Sequence, residues 1–394
     1  MPGTYHSYRA ALQQLELPCA FVDLDALDAN IQAVLQQADG LPVRVATKSI
    51  RCRWLLDYLL QAGFKGLMCF SAAEAAWLST AGFDDLLVAY PSQDRSAVTA
   101  LCQQVKAGKG IWLMVDSLAQ ASWLNALAAE ARIQLPICLD LDMSSSLPGL
   151  HFGVRRSPLR SPEAVKRLAQ QVQSNCPHLN ISALMGYEAQ IAGVGDLQGP
   201  YLKAKVIQAL QSYSQRRVFA RRQASLQQLQ ALGIALDFVN GGGSGSLRRT
   251  RQDSAVTELT AGSACFAPVL FDHYRDLQLQ PAAGFALPVV RQPAPDIYTC
   301  LGGGYIASGA AGPDRLPQVW LPEGGQLLPL EGAGEVQTPV HFAQAVPLQW
   351  GDPILFRHAK AGELCERFKQ LHLLRGQQVE QSVPTYRGEG QCFF

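Results

Sequence analysis

The sequence is short of charge. Lys, Arg, Asp and Glu make up 16% of its 394 residues, and their formal sum is +1. Nucleic acid and anionic membrane surfaces demand a concentrated basic face, so neither is expected as a partner. No apolar run reaches the roughly 20 residues that a helix needs to cross a bilayer. The first residues, Met1 to Gln14, are polar and lack the apolar centre of a signal peptide, so the chain is expected in the cytoplasm. Ten cysteines are present, but there is no Cys-x-x-Cys, and Cys69, Cys138 and Cys265 sit inside apolar segments. In a chain this long they read as reduced core residues and not as a disulfide framework. Internal repeats and low-complexity linkers are missing too. What remains is 48% hydrophobic, enough to bury one large core or two smaller ones. The sparse surface charge suggests that part of the surface is covered in an oligomer.

From about residue 20 to 270, short β-rich apolar runs alternate with helical stretches. Eight strands are expected, at 42–47, 65–70, 85–90, 110–115, 135–141, 180–186, 234–240 and 255–260. Alternation of this kind means parallel βαβ units, and eight of them suit a closed barrel better than an open sheet. Helix signals agree. Asp23 or Asp25 caps a run with Leu27, Ile31 and Val34 at helical spacing, Ser71 and Glu74 form a capping box, and Ser161-Pro162-Glu163 starts another helix. A long stretch, 199–232, reads as helical and ends at Gly233. After about residue 272 proline and glycine become frequent and no helical period persists. The expected architecture is therefore α/β: an N-terminal (β/α)8 TIM-type barrel over 20–272, and a mostly-β domain over 273–394 that takes in 1–19.

Chemistry in such barrels sits at the C-terminal ends of the strands. The first barrel strand ends at Lys48, where a lysine on a rigid element above a packed core can act as a Schiff-base nucleophile. Taken by position alone, the commoner reading is a surface lysine in a βα loop. The seventh strand runs into Asn240 and then Gly241-Gly242-Gly243-Ser244-Gly245-Ser246, and the eighth into Thr260-Ala261-Gly262-Ser263. Glycines let backbone N–H groups approach an anion, and loops after strands seven and eight are where barrels often bind phosphate. A plain flexible Gly/Ser loop is the alternative. After the sixth strand, Tyr187 and Glu188 could face the site and meet a cofactor ring, or they belong to an ordinary loop with a packed tyrosine. After the fifth, one of Arg155 and Arg156 could hydrogen-bond a cofactor oxygen while the other faces solvent.

With these residues in view, the chain resembles the fold-type III pyridoxal-5′-phosphate (PLP) enzymes. It is similar to alanine racemase, and more closely to the D-threonine aldolase and D-serine dehydratase branch. The matching pieces are Pro18 to Asn30, Arg44 to Lys48, the loop 241–246, Glu258 to Ser263 and a C-terminal β domain. The resemblance implies that Lys48 carries PLP as a Schiff base, that Gly242, Gly243, Ser244, Gly245, Ser246, Gly262 and Ser263 hold its phosphate, and that Arg155 touches the ring hydroxyl, with Tyr187 beside the cofactor. It also implies a homodimer in which one subunit's β domain covers the other's barrel mouth.

Two departures stand out. Thr260 takes the place of an arginine that faces the ring nitrogen in alanine racemase, which changes the polarisation of the ring. The branch's C-terminal metal pair, His-x-Cys or His-x-Asp, reads His358-Ala359-Lys360 here, and an ammonium is no metal ligand. Glu363 or Cys365 could stand in, but a divalent metal is the lesser expectation, and His358 or Lys360 could instead act on the substrate directly. The expected function is a lyase acting on a D-configured β-hydroxy-α-amino acid, by aldol cleavage or by dehydration and deamination, with Lys48, His358 and Tyr187 as its catalytic residues. The alternative is a racemase whose second base comes from the partner subunit, with Tyr305 as the candidate. A non-catalytic PLP carrier, or a phosphate-binding barrel enzyme without PLP, fits the length or the motifs less well. The tail from Pro384 to Gly390 could reach an active site or lie on the surface.

Overall fold

A computed structural model describes residues 3–147, 149–195, 197, 201–376 and 378–393. The chain opens with a helix, Tyr5–Leu12, and a strand, β1 (Cys19–Asp23). The barrel strands follow: β2 (Val43–Ala46), β3 (Leu67–Cys69), β4 (Leu86–Val88), β5 (Ile111–Val115) and β6 (Leu135–Asp140). A hairpin, β7 (Ser145–Leu147) and β8 (Leu150–Phe152), is inserted before β9 (Leu179–Gly186), β10 (Phe238–Gly241) and β11 (Glu258–Ala261) complete the circuit. These eight parallel strands pair in sequence, and β11 returns to β2 through Leu259 opposite Val43, so the barrel is closed. Each of the eight expected strands is present, shorter by a few residues at most ends.

The helices start where their caps dictate. Asp23, not Asp25, caps Leu24–Ala38 by accepting from Ala26 N–H at 3.0 Å. Ser161 caps Pro162–Asn175 by accepting from Ala164 N–H at 3.2 Å. The long helix spans Tyr201–Ala231; positions 199 and 200 of the expected stretch lie outside the described residues.

Period-2 alternation along the barrel strands sorts side chains into two cores. Val43 and Val45 pack outward onto the helical ring, whereas Arg44 points inward. Leu87, Met114, Cys138, Ala183, Met185 and Phe238 fill the interior. Arg44, 1% exposed, pairs through two nitrogens with the Glu258 carboxylate at 2.7 and 2.8 Å, and its guanidinium stacks 4.9 Å from the Phe238 ring. Only a paired and fully bonded arginine is tolerated at such a depth.

After β11 the chain forms β12 (Ala283–Ala294), β13 (Ile297–Leu301), β14 (Gln318–Leu321), β15 (Gly325–Leu327), β16 (Gln337–Phe342), β17 (Pro353–Arg357), β18 (Gln370–Arg375) and β19 (Gln378–Pro384). With β1 these make one nine-stranded sheet. The first strand of the chain therefore belongs to the C-terminal sheet: it lies between β12, antiparallel, and β18, parallel. Among the described residues no helix is long and apolar enough to cross a membrane.

Candidate active site at the barrel rim

A cavity of about 450 Å³ opens at the C-terminal ends of the strands. It is lined by Ala46, Lys48 and Ser49 around the end of β2, Tyr90 after β4, Tyr187 after β9, Asn240 to Ser244 around the end of β10 except Gly241, and Thr260 to Ser263 around the end of β11. Arg156, His273, Asp314, Arg315 and Lys360 add to its polar wall. The same alternation that buries Arg44 brings Ala46 to the inner face, at the foot of Lys48. Residues 47–49 then form a single 3₁₀ turn.

Lys48 Nζ donates to the Tyr90 hydroxyl at 3.1 Å. Arg156 lies 5.5 Å from the Tyr90 ring and 5.7 Å from the Tyr187 ring. Burial opposes ionisation of the Tyr90 phenol, but Lys48 and Arg156 outweigh it and hold its pKa below the usual value. Tyr187 is pushed up to about 12 by burial, which the nearby Arg156 only partly offsets. Tyr90 is a site residue that the sequence reading did not single out. Both arginines are exposed, and Arg156 lines the cavity whereas Arg155 does not.

The two glycine loops meet in this cavity. Ser244 Oγ accepts from Gly262 N–H at 3.2 Å and from Ala264 N–H at 3.1 Å, so one serine ties them together. Ser246 Oγ accepts from Gly243 N–H at 3.2 Å, which shapes the first loop but leaves Ser246 and Gly245 off the cavity wall. The N–H groups of Ser244, Gly245 and Ser263 have no protein acceptor among the described residues. Donors without acceptors beside a cavity suit an anion. A Cβ on Gly262 would lie 2.8 Å from the Ala46 carbonyl oxygen, so only glycine fits between the loop and the Lys48 turn.

Glu188 faces the other way. It is fully buried outside the barrel, where it pairs with Arg222 of the long helix at 3.1 Å and accepts from Gly242 N–H at 3.1 Å and from the Thr250 hydroxyl. It anchors the glycine loop from behind and does not meet a cavity ligand. Inside, Asn240 Nδ2 donates to Glu258 at 2.8 Å and to Thr260 Oγ1 at 2.8 Å, which carries the Arg44–Glu258 pair up to the cavity floor.

The C-terminal sheet reaches the same site. The loop after β17 lies against the Lys48 turn so closely that a Cβ on Gly362 would overlap the Lys48 carbonyl. Arg51, next to that turn, donates to the Lys48 carbonyl at 3.0 Å and pairs with Glu366. Lys360 Nζ donates to Ser308 Oγ at 3.1 Å. His358, in contrast, is buried away from the cavity, edge-on to Phe266, with neither ring nitrogen hydrogen-bonded among the described residues. Burial, with Arg357 beside it, lowers its pKa to about 3, so the ring is neutral. Tyr305 packs in the aromatic cluster of its own sheet, 4.9 Å from Phe285 and 5.4 Å from Phe368. The tail is built in: Tyr386 donates its N–H to Arg51 O at 2.9 Å and its hydroxyl to the buried Glu74 at 2.9 Å.

Comparison with known proteins agrees with this architecture. The family described as alanine racemase, N-terminal domain, matches residues 22–268. A 3-hydroxy-D-aspartate aldolase from Paracoccus denitrificans is 25% identical over 270 residues, 67% of this chain but only 64% of that relative's own length. The solved D-threonine aldolase from Filomicrobium marinum superposes with a TM-score of 0.80 at 19% identity, covering 96% of this chain and 97% of that one. The D-threo-3-hydroxyaspartate dehydratase from Delftia sp. HT23 gives 0.76 at 18% identity, covering 95% and 98%. At these identities the likeness to the solved structures is one of fold.

Proposed function

Because the chain belongs to the family of the alanine racemase N-terminal domain, we propose that it is a PLP-dependent lyase acting on D-β-hydroxy-α-amino acids, by aldol cleavage or by dehydration and deamination. The observation that carries this is the meeting in one cavity of Lys48 with two glycine loops, on which the N–H groups of Ser244 and Ser263 have no acceptor among the described residues.

The residues fit the cofactor. Lys48 would hold it covalently, the N–H groups of Ser244 and Ser263 would take its phosphate, Arg156 would meet a ring oxygen, and Thr260 would face the ring nitrogen as a neutral partner. When bound, such a cofactor supplies an electron sink for a bond broken at the substrate's Cα. The chain's own groups do the rest. Lys48, once freed, takes or returns the proton at Cα. Tyr90, bonded to Lys48 and kept more acidic than a free phenol, exchanges a proton with it. Tyr187 flanks the cavity as a neutral phenol. His358 contributes packing in this reading.

A divalent metal fits less well. Among the described residues no cluster of three His, Cys, Asp or Glu side chains could hold one. His358 is turned into the core, and Lys360 offers no lone pair while protonated. Racemisation asks for a second base, and Tyr305 is committed to its own sheet. The aldolase and dehydratase relatives favour the lyase over it. A homodimer in the cytoplasm, with the partner's sheet over the barrel mouth, completes the reading.

The test is spectroscopic and chemical. Protein incubated with PLP should develop a visible absorbance band, and borohydride should fix the label on Lys48. A screen of D- and L-threonine, serine and 3-hydroxyaspartate should then yield aldehyde or 2-oxo acid from D isomers. Racemised product with neither would overturn the lyase, and a label on another lysine would overturn the site.

A further inference from the structure

We propose that Glu188 and Arg222, buried behind the barrel wall, are positioning residues for the first glycine loop: they engage its first two N–H groups, leave that of Ser244 to the cavity, and so make the chain select a phosphorylated aldehyde over the same aldehyde without its phosphate. The selectivity rests on the cofactor reading above; the network itself rests on the side chains.

One carboxylate fixes two donors of the loop. Glu188 Oε2 accepts from Gly242 N–H at 3.1 Å, and the Thr250 hydroxyl donates to Oε1. With its proton committed there, Thr250 Oγ1 accepts from the Ser246 hydroxyl at 3.0 Å, and Ser246 Oγ in turn accepts from Gly243 N–H at 3.2 Å. The N–H groups of Gly242 and Gly243 are therefore both taken within the protein. Gly242 turns this way at φ +78°, a conformation that a side chain resists. The next residue, Ser244, is the one whose N–H meets no acceptor among the described residues, while its Oγ ties down the second loop.

Arg222 holds the carboxylate in place. Its Nη2 donates to Glu188 at 3.1 Å and to the Gly186 carbonyl at 3.0 Å, and its Nη1 pairs with Asp253. A Cβ on Gly241 would lie 3.0 Å from Nη2, so the bare glycine leaves room for the guanidinium at the end of β10. The long helix that carries Arg222 is pinned beside it, where Arg221 donates to the carbonyls of Asp142 and Ser144 at 2.5 and 2.9 Å. Glu188, Arg222, Thr250 and Ser246 are each at most 2% exposed, so water does not loosen the relay. A buried ion pair gains little net stability over apolar side chains of the same volume. What it supplies is direction, because a satisfied polar network in a low dielectric is stiff. A donor aimed in advance needs no ordering when the phosphate arrives.

Absorbance titrations with PLP and with pyridoxal, which lacks the phosphate, test this, each followed at the visible band. PLP should bind the wild type far more tightly than pyridoxal does. Glu188→Gln keeps the shape but offers one acceptor oxygen where two are used. It should weaken PLP by about tenfold or more, the scale of one hydrogen bond to a charged group, with pyridoxal affinity unchanged. Thr250→Val leaves every charge paired and the side-chain shape intact, and breaks only the hydroxyl relay. It should lower the ratio of PLP to pyridoxal affinity several-fold, and Thr250→Ser should restore it. An unaltered ratio in Glu188→Gln or Thr250→Val would overturn the proposal. So would an equal loss for both aldehydes, which marks a network that only holds the fold. The cofactor reading fails separately: wild-type protein that gives no band with either aldehyde refutes that reading, while a PLP band whose selectivity the variants leave alone refutes only the positioning role.

Discussion

At the scale of single residues, the contact between Lys48 and Tyr90 asks most of the site. A phenol held below its usual pKa by two cations is a proton store matched to an amine 3.1 Å away. Tyr90→Phe should keep the fold and the bound cofactor but lower kcat/KM by about 10² or more, the usual contribution of a positioned acid or base. The pH–rate profile should lose the limb that Tyr90 contributes below the ordinary phenol range; an unchanged profile would remove Tyr90 from the chemistry. Gly262 gives a second prediction. A Cβ there would lie 2.8 Å from the Ala46 carbonyl oxygen, so Gly262→Ala must push the second glycine loop away from the Lys48 turn. PLP retained after gel filtration, read by absorbance, should fall several-fold. Much of this was legible in the sequence, because strand ends and glycine loops carry their own signals. Period-2 alternation along β9 also separates Tyr187, inward after Met185, from Glu188, outward after Gly186. Arg156 was not separable from Arg155, since the hairpin of β7 and β8 breaks the count from β6. Tyr90 stands alone at a strand end, and Arg315 and Lys360 lie in segments where no period exists to aim them.

At the scale of elements, the C-terminal tail acts as a strap. Tyr386 is 1% exposed, edge-on to Trp77, and its hydroxyl bonds Glu74, which also accepts from Phe70 N–H at 2.7 Å. Its own N–H holds Arg51, one bond removed from the Lys48 carbonyl. The sequence showed Ser71 and Glu74 as a capping box; Ser71 does accept from Glu74 N–H, at 3.2 Å. That the glutamate would turn inward to meet a tyrosine 312 positions later is a long-range pairing that no local pattern encodes. Tyr386→Phe leaves that buried carboxyl short of a donor and should cost about 1–3 kcal/mol, read as a lower Tm. The same carboxyl sets a pH dependence. Burial raises its pKa from the ordinary 4.5 to about 7, so the folded state holds this proton more tightly than the unfolded chain. The stability it contributes is complete below about 4.5 and is lost as pH rises through about 7. Glu74→Gln, neutral throughout, should flatten the fall in Tm between pH 5 and pH 8; an equal fall in both proteins would place the titrating group elsewhere.

For the whole molecule, the first strand of the chain decides how barrel and sheet are joined. β1 lies between β12 and β18 and leads directly into the helix Leu24–Ala38, so the sheet's centre and the barrel's outer ring share one continuous segment. In the sequence this strand read as a prelude to the barrel, because a strand followed by a helix looks alike in either sheet; the partners that claim it come from more than 260 positions downstream. Through Gly362, Glu366 and Tyr386, the sheet braces the Lys48 turn within the same chain. Lys360 and Arg315 reach the cavity from that side too, yet its mouth stays open to solvent. Water at the mouth would compete with every charged contact inside, so a cover should raise the strength of each. A second copy laying its sheet over the mouth would provide one. Sedimentation equilibrium should therefore give twice the 42.7 kDa of one chain. Activity per chain should fall on dilution in step with dissociation. A monomer that retains full specific activity at every concentration would show that one chain closes its own site.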